Sequence, residues 1–257
     1  MSVVVDPGHG GSDQGAVGLV VEKEKALAIA LATRNRLQEY GLKVLMTRSD
    51  DSAVSLAERV AVANKAGAKV LLSIHINAGG GTGFESYRYP GSVEGAKLQA
   101  AIHKALIPVL ADSVTEHGIL TATALEAEPV DIPLSLSGDA LEAWIRDRGQ
   151  KEARWYVLAN TKMPGVLCEC LFVDHPDDAK LLKDPAFLKK IGAAIADGVA
   201  AYLGVQFSAD YICSAQFAAA IVQARQRGLS NPGLGHDYRQ PISEERFWAI
   251  IARLMRW

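Results

Sequence analysis

Residues 70–76 read Val70-Leu71-Leu72-Ser73-Ile74-His75-Ile76, a nearly continuous apolar run that gives way to Asn77-Ala78 and three glycines. Such a run fits a strand covered on both faces, the condition of a parallel sheet lying between helices. Upstream, Gly67 breaks a helical stretch at 56–65, and 43–47 has strand character. The segment 22–40 reads as a helix with Leu27, Ala30, Leu31 and Leu37 on one stripe and Gly41 after its end. Val3-Val4-Val5 reads as a short buried strand ended by Pro7-Gly8. Strand, helix, strand, helix, strand is the rhythm of an α/β fold.

Downstream, 83–89 has strand character and 94–110 reads as a helix ended near Pro108. From 112 to about 137 the chain mixes Thr, Glu and Pro without a period, which predicts a loop-rich excursion over one face, and 140–146 fits a short helix. Strand character returns at 155–158 and 166–172. A helix follows at 185–203, with Phe187, Ile191, Ala194, Ile195, Gly198 and Val199 near one face. Beyond a linker at 204–209, two helix-like segments, 215–227 and 243–255, flank a turn-rich stretch; Ser243 followed by Glu244 and Glu245 is a helix-start signal. The expected organisation is a main domain at 1–205 and a small helical appendage at 209–257.

Apolar residues make up 49% of the 257-residue chain and charged residues 22%, a composition able to bury a sizeable core. A net charge of −2 supplies no basic surface for nucleic acid. No stretch approaches the ~20 uninterrupted apolar residues of a membrane helix, so insertion in a membrane is not expected. The N-terminus has neither the basic start nor the apolar run of a secretory signal. That predicts a chain independent of the general export route, or a sequence that starts at the mature domain. Three cysteines, Cys168, Cys170 and Cys213, are too few for a disulfide framework and fit a reducing compartment.

Asp6-Pro7-Gly8-His9-Gly10-Gly11 places a histidine in a glycine-rich turn just past a strand, where the imidazole can project from the sheet end. Glu22 starts the next helix, and His75 lies at the carboxyl end of the most apolar strand. Two imidazoles and one carboxylate from separate elements match a catalytic zinc set with one open position. Glu169, inside Val166-Leu167-Cys168-Glu169-Cys170-Leu171-Phe172, is costly to ionise unless paired or close to a metal. Beside zinc it has a task, moving the proton as hydroxide attacks and the amine departs. Cys168 and Cys170 point to the opposite strand face and read as small apolar residues. His103, His117, His175 and His236 have no partner at a recognisable spacing and read as surface or loop residues.

With these residues in place, the stretch from about Ser2 to Leu203 resembles the zinc-dependent N-acetylmuramoyl-L-alanine amidases of the amidase_3 type. The resemblance is carried by 6–18, by Glu22-Lys23 with 27–30 behind it, and by Thr47-Arg48 followed by Asp50-Asp51. Leu56-Ala57-Glu58-Arg59, 73–78, Gly83-Phe84-Glu85, Arg148-Gly149, Tyr156-Val157-Leu158 and 160–164 continue it up to Glu169, and Asp177-Asp178 with Leu181-Leu182 follow. It implies a mixed, mostly parallel sheet of about six strands between helices. It also implies His9, Glu22 and His75 as ligands of Zn2+, with Glu24 a rival to Glu22, and Glu169 as the catalytic acid/base. The implied reaction is hydrolysis of the amide between N-acetylmuramic acid and L-alanine in peptidoglycan. A zinc peptidase acting within stem peptides would use the same four residues, and a wall-binding protein or amidase regulator without activity would be marked by loss of one of them.

Cys170-Leu171 departs from the pattern, since relatives often carry Gly at the second of these positions. The segment 112–146 has no firm counterpart. It is expected to shape the substrate groove, with Glu126, Glu128 or Glu142 approaching the metal, in contrast to an inserted helix that blocks the zinc in some secreted relatives. The tail, through Phe217-Ala218, 228–230, Asp237-Tyr238 and 241–247, resembles a single surface-layer-homology repeat and the wall-targeting tails of some phage lysins. This implies that it binds a cell-wall polymer; a helical hairpin that packs on the amidase or makes a dimer is the alternative. The implied setting is a phage endolysin that accumulates in the host cytoplasm and acts on the wall for host lysis.

Overall fold

The computed structural model describes residues 1–116 and 147–206. In chain order these form β1 (Ser2–Pro7), α1 (Glu22–Glu39), β2 (Lys43–Met46), α2 (Leu56–Ala66), β3 (Val70–Asn77), β4 (Phe84–Arg88), α3 (Val93–Glu116) and β5 (Asp147–Glu152). Then follow α4 (Tyr156–Asn160), β6 (Gly165–Phe172), α5 (Pro176–Leu182) and α6 (Pro185–Leu203). The six strands make one sheet in the order β2-β1-β3-β6-β4-β5. Neighbours run parallel except β4 and β6, so the sheet is mixed and mostly parallel, as the family resemblance implied. No helix among the described residues is long and apolar enough to cross a membrane.

Register explains why the central strands read as apolar runs. Val4 pairs with Leu71, and Leu167 lies on the same side; Val60, Ala63, Val157 and Leu158 of α2 and α4 cover this face. Val3, Val5, Leu72, Ile74, Val166 and Cys168 alternate to the other face and are fully buried. Helices α1, α3 and α6 line that side, with Arg36 of α1 paired to Asp197 of α6 at 2.7 Å. Free Cys168 and Cys170 lie in this second layer, buried and away from Glu169, and burial pushes both thiols upward in pKa.

Several local expectations need correction. The stripe that α1 buries most deeply is Ala26, Ile29, Ala30, Thr33 and Leu37, rotated from the expected one; Leu27 and Leu31 are half-buried. Residues 156–160 form the short helix α4, where Thr161 Oγ1 donates to the Val157 carbonyl; a brief aromatic and apolar run carries no period to tell strand from helix. Helix α3 continues through Pro108. Pro108 and Lys104, whose carbonyl loses its partner, both lie on the exposed side, while Leu98, Ile102, Leu106 and Leu110 stay packed on the other. Strand β5, Asp-Arg-Gly-Gln-Lys-Glu, escaped detection because a polar edge strand has no apolar alternation. His103 is buried, its Nε2 2.8 Å from Ser86 Oγ, and His175 precedes α5 as its N-cap. The expectations for 117–146 and 207–257, including His117, Cys213 and His236, lie outside the described residues.

Two buried arginines hold the turn that leaves β1. Arg59 on α2 pairs with Asp6 at 2.7 Å and also donates to the carbonyls of Pro7, His9 and Val54. Arg48 donates to the carbonyls of Pro7, Gly8, Lys23 and Asp50. Asp6 accepts further bonds from Thr47 Oγ1 at 2.6 Å and Ser73 Oγ at 2.7 Å. Removing one partner of a buried pair leaves an uncompensated charge. Arg59→Ala is therefore expected to lower unfolding free energy by about 3–5 kcal/mol in urea titrations; a loss below about 1 kcal/mol would show that this pair does not hold the turn.

Candidate functional site

From β1 the chain passes to β2 on one flank and then returns to β3 on the other. The crevice at the carboxyl ends of β1 and β3 is therefore a topological switch point, where α/β proteins place their sites. His9 stands two residues past β1, Glu22 is the first residue of α1, and His75 is near the end of β3. The structure brings all three together: one ligand atom from each lies within 4.8 Å of the others. His9 Nε2 is 3.0 Å and His75 Nδ1 2.9 Å from the same Glu22 oxygen, Oε1. The two imidazoles meet edge to face, with centroids 4.9 Å apart.

Backbone geometry makes this convergence possible. His9 has φ 58, a left-handed conformation uncommon for a non-glycine residue, fixed by Arg59 Nη2 donating 2.7 Å to its carbonyl. A Cβ at Gly8 would lie 2.3 Å from His75 Cε1, and one at Gly15 would lie 2.5 Å from Glu22 Oε2, so no larger residue fits behind either ligand. The Ala16 and Ile76 amides donate to Glu22 Oε2 and Oε1 at 2.7 and 3.2 Å.

Asp13, which the sequence reading missed, lies 2.9 Å from His9 Nδ1. Its signal was available: a carboxylate four residues after the histidine in the same glycine-rich turn. In a neutral ring, donation from Nδ1 to Asp13 leaves the lone pair of Nε2 facing Glu22. A lone pair facing a carboxylate at 3.0 Å is repulsive unless the ring is protonated or a cation lies between. Without a cation, the hydrogen bond to Glu22 raises the His9 pKa. Burial alone would disfavour the Glu22 anion, but hydrogen bonds from His75 and His9 outweigh it and hold this carboxyl well below its usual range. Glu24, the rival, is exposed and apart from the cluster.

Glu169 lies on β6 opposite His75 of β3 and Glu85 of β4. Glu85 and Glu169 have opposite environments. Asn77 Nδ2, Tyr87 Oη, Arg148 Nε and Lys151 Nζ all donate to Glu85. Against the cost of its burial, these donors, led by Lys151 and Arg148, bring the Glu85 pKa down to about 2. Glu169 has a buried Oε2 with no hydrogen-bond partner. Burial, opposed by His75 and His9 and reinforced by Glu22 and Glu85, pushes its pKa up to about 7. Glu85 belonged to the resemblance without a role, and its donors could not be assigned because Arg148 and Lys151 sit on the unrecognised β5.

Just past Glu169, β6 takes one extra residue relative to β3, and Leu171 there has φ 72. Leu171, 2% exposed, holds this left-handed conformation at the bulge with its side chain buried. His9, Glu22, His75 and Glu169 all face one cleft of ≈960 Å³, bordered also by the start of α2 and by Trp155 and Tyr156. Glu126, Glu128 and Glu142 lie outside the described residues.

The chain matches the family model described as N-acetylmuramoyl-L-alanine amidase, Amidase_3, over residues 3–201. It is 38% identical over 233 residues to the N-acetylmuramoyl-L-alanine amidase CwlM of Bacillus licheniformis, covering 90% of this chain and 79% of the relative. With an endolysin of Bacillus phage SPP1 it shares 34% identity over 210 residues, 79% of this chain and 66% of the relative. Among solved structures, the catalytic domain of the N-acetylmuramoyl-L-alanine amidase CwlV from Bacillus (Paenibacillus) polymyxa var. colistinus is similar at TM-score 0.63 and 30% identity, covering 80% of this chain and 99% of that one. Together with the six-stranded sheet and the clustered donors at its switch point, these matches establish that the chain belongs to the Amidase_3 family of N-acetylmuramoyl-L-alanine amidases.

Proposed function

We propose that this protein is a zinc hydrolase that cleaves the amide between N-acetylmuramic acid and L-alanine in peptidoglycan. The observation that carries the zinc assignment is the meeting of two imidazole nitrogens and one carboxylate oxygen in a cleft that also holds the unpartnered Glu169 Oε2. This donor set fits zinc. His9 through Nε2, His75 through Nδ1 and Glu22 through Oε1 would hold the ion, and Asp13 fixes the His9 tautomer from behind. Zinc held there would supply Lewis acidity and make water a better nucleophile at neutral pH. Glu169 accepts the proton released as water attacks the amide carbonyl and returns it to the departing L-alanine nitrogen. The amides of Ala16 and Ile76 hold Glu22 in place throughout.

The similarity to a phage endolysin supports a biological setting of host lysis, with the protein held in the host cytoplasm until the membrane opens. In this reading residues 209–257, which lie outside the described residues, bind a cell-wall polymer.

Mass spectrometry of digested peptidoglycan tests the reaction: free peptides beginning with L-alanine are expected, and cleavage only within stem peptides would refute it. Glu169→Ala is expected to retain zinc and lose about 10²–10⁴-fold in wall hydrolysis. Undiminished hydrolysis removes Glu169 from the mechanism. Asp13→Ala is expected to weaken zinc binding about 10–100-fold in chelator competition, with circular dichroism unchanged; unaltered affinity would show that Asp13 does not orient His9. Deletion of 209–257 should lower co-sedimentation with cell walls more than activity on small soluble fragments, whereas equal loss of both would point to a structural tail.

A further inference from the structure

We propose that the arm of the cleft walled by Trp155, Tyr156 and Leu56 is a subsite for the uncharged N-acetylhexosamine rings of the glycan strand. The inference rests on the amidase reading and assigns one direction of its cleft. Trp155, Tyr156 and Leu56 are 39%, 47% and 54% exposed, large apolar groups that line the same cleft as the donor cluster. The Trp155 indole packs on the Tyr87 ring with centroids 4.3 Å apart, and Tyr87 is paired with Leu167. Leu167 also lines the cleft and lies two residues before Glu169 on the same strand face, about 7 Å along β6. Leu167 therefore connects the aromatic wall to the proton-transferring group within a single cleft.

Charge selects the occupant. Stem peptides carry free carboxylates, whereas the glycan is uncharged once its lactyl carboxyl is amidated. Among the described residues lining the cleft there is no lysine, and the single arginine, Arg59, directs its donors to Asp6 and to the carbonyls of Val54, Pro7 and His9. The start of α2 offers no anion site, because Ser55 and Glu58 close a capping box over it. Asp13 and Glu58 add negative charge to the lining. An acidic cleft with exposed rings suits a neutral ligand that has apolar C–H faces and polar edges. Trp155 also occupies the N-cap position of α4 without making a capping bond, where Ser, Thr, Asp or Asn would stabilise the helix. An indole there is explained by what it meets in the cleft.

The test uses zinc-loaded full-length Glu169→Gln protein titrated with N-acetylglucosamine tetramer and, separately, with a free stem tetrapeptide beginning with L-alanine. The indole NMR signal of Trp155 is assigned by its loss in Trp155→Phe. The tetramer is expected to shift this signal and the peptide to leave it in place. In the otherwise wild-type enzyme, Trp155→Ala should raise KM on polymeric peptidoglycan about tenfold with a smaller change in kcat, and Trp155→Phe should restore most of the loss. Tyr156→Ala, with the indole retained, should weaken tetramer binding in the same direction and serves if Trp155→Ala fails to fold. A shift caused by the peptide and not by the sugar, or by neither, overturns the subsite. So does an unchanged KM in Trp155→Ala while the wild type still releases peptides beginning with L-alanine. If the wild type releases no such peptides, the reaction assignment itself fails.

Discussion

The site depends on how two buried guanidinium groups hold the backbone that leaves β1. Arg48 and Arg59 between them bind the carbonyls of Pro7, Gly8 and His9, three successive residues whose acceptors would otherwise be lost to the sheet and turned towards the interior. That grip explains how His9 keeps a left-handed backbone, the conformation that points its imidazole across the crevice to Glu22. Asp6 neutralises Arg59 from within the sheet, tied in turn by Thr47 on the β2 side and Ser73 on β3. Three parallel strands and α2 are thus fastened by one polar knot directly beneath the donor cluster. The arrangement is rigid because each member is satisfied; a half-satisfied knot of this burial would be a liability.

A second constraint concerns paired carboxylates. Glu85 and Glu169 are register neighbours on β4 and β6, and two unscreened anions so placed would repel. The fold separates them by giving all the donors to Glu85. Pairing with Arg148 and Lys151 on β5 fixes one as a permanent anion, leaving the other free to exchange a proton. The polar edge strand therefore bears on the protonation of Glu169, although neither Arg148 nor Lys151 lines the cleft. It also explains why a sequence as hydrophilic as 147–152 folds as a strand: its side chains are held by a partner on β4.

Much of this was legible before coordinates. Continuous apolar runs gave β1, β3 and β6 because burial on both faces leaves a signature that needs no partner to interpret. Glu169 stood out because a carboxylate inside an apolar strand is costly without a purpose, and His9, Glu22 and His75 because together they match a zinc set. What could not be read shares a cause: its signal lies in the partner. Whether 155–158 bends into a helix depends on Val157 and Leu158 docking on Leu167 and Leu71. Pro108 is tolerated inside α3 because the opposite stripe is packed. His103, unremarkable in sequence, is buried against Phe84 and Ser86 of β4, contacts that lie in a partner strand.

Departures from local preference gather around the cleft. His9 and Leu171 adopt left-handed backbone without being glycine, Glu169 has a buried oxygen left unbonded, and Trp155 takes a cap position it cannot cap. Each costs stability on its own, of order 1–3 kcal/mol for a strained backbone or an unmet buried acceptor. Elsewhere Asp184 caps its helix, and Gly67 and Gly204 end theirs in the left-handed form that suits glycine, although Pro108 sits inside α3. Stability is then set by the packing on both faces of the sheet, and the shape of the crevice by the exceptions that border it. Those exceptions fall on elements that are far apart in sequence, so no single helix or strand bears all the strain, and the sheet that joins them absorbs it.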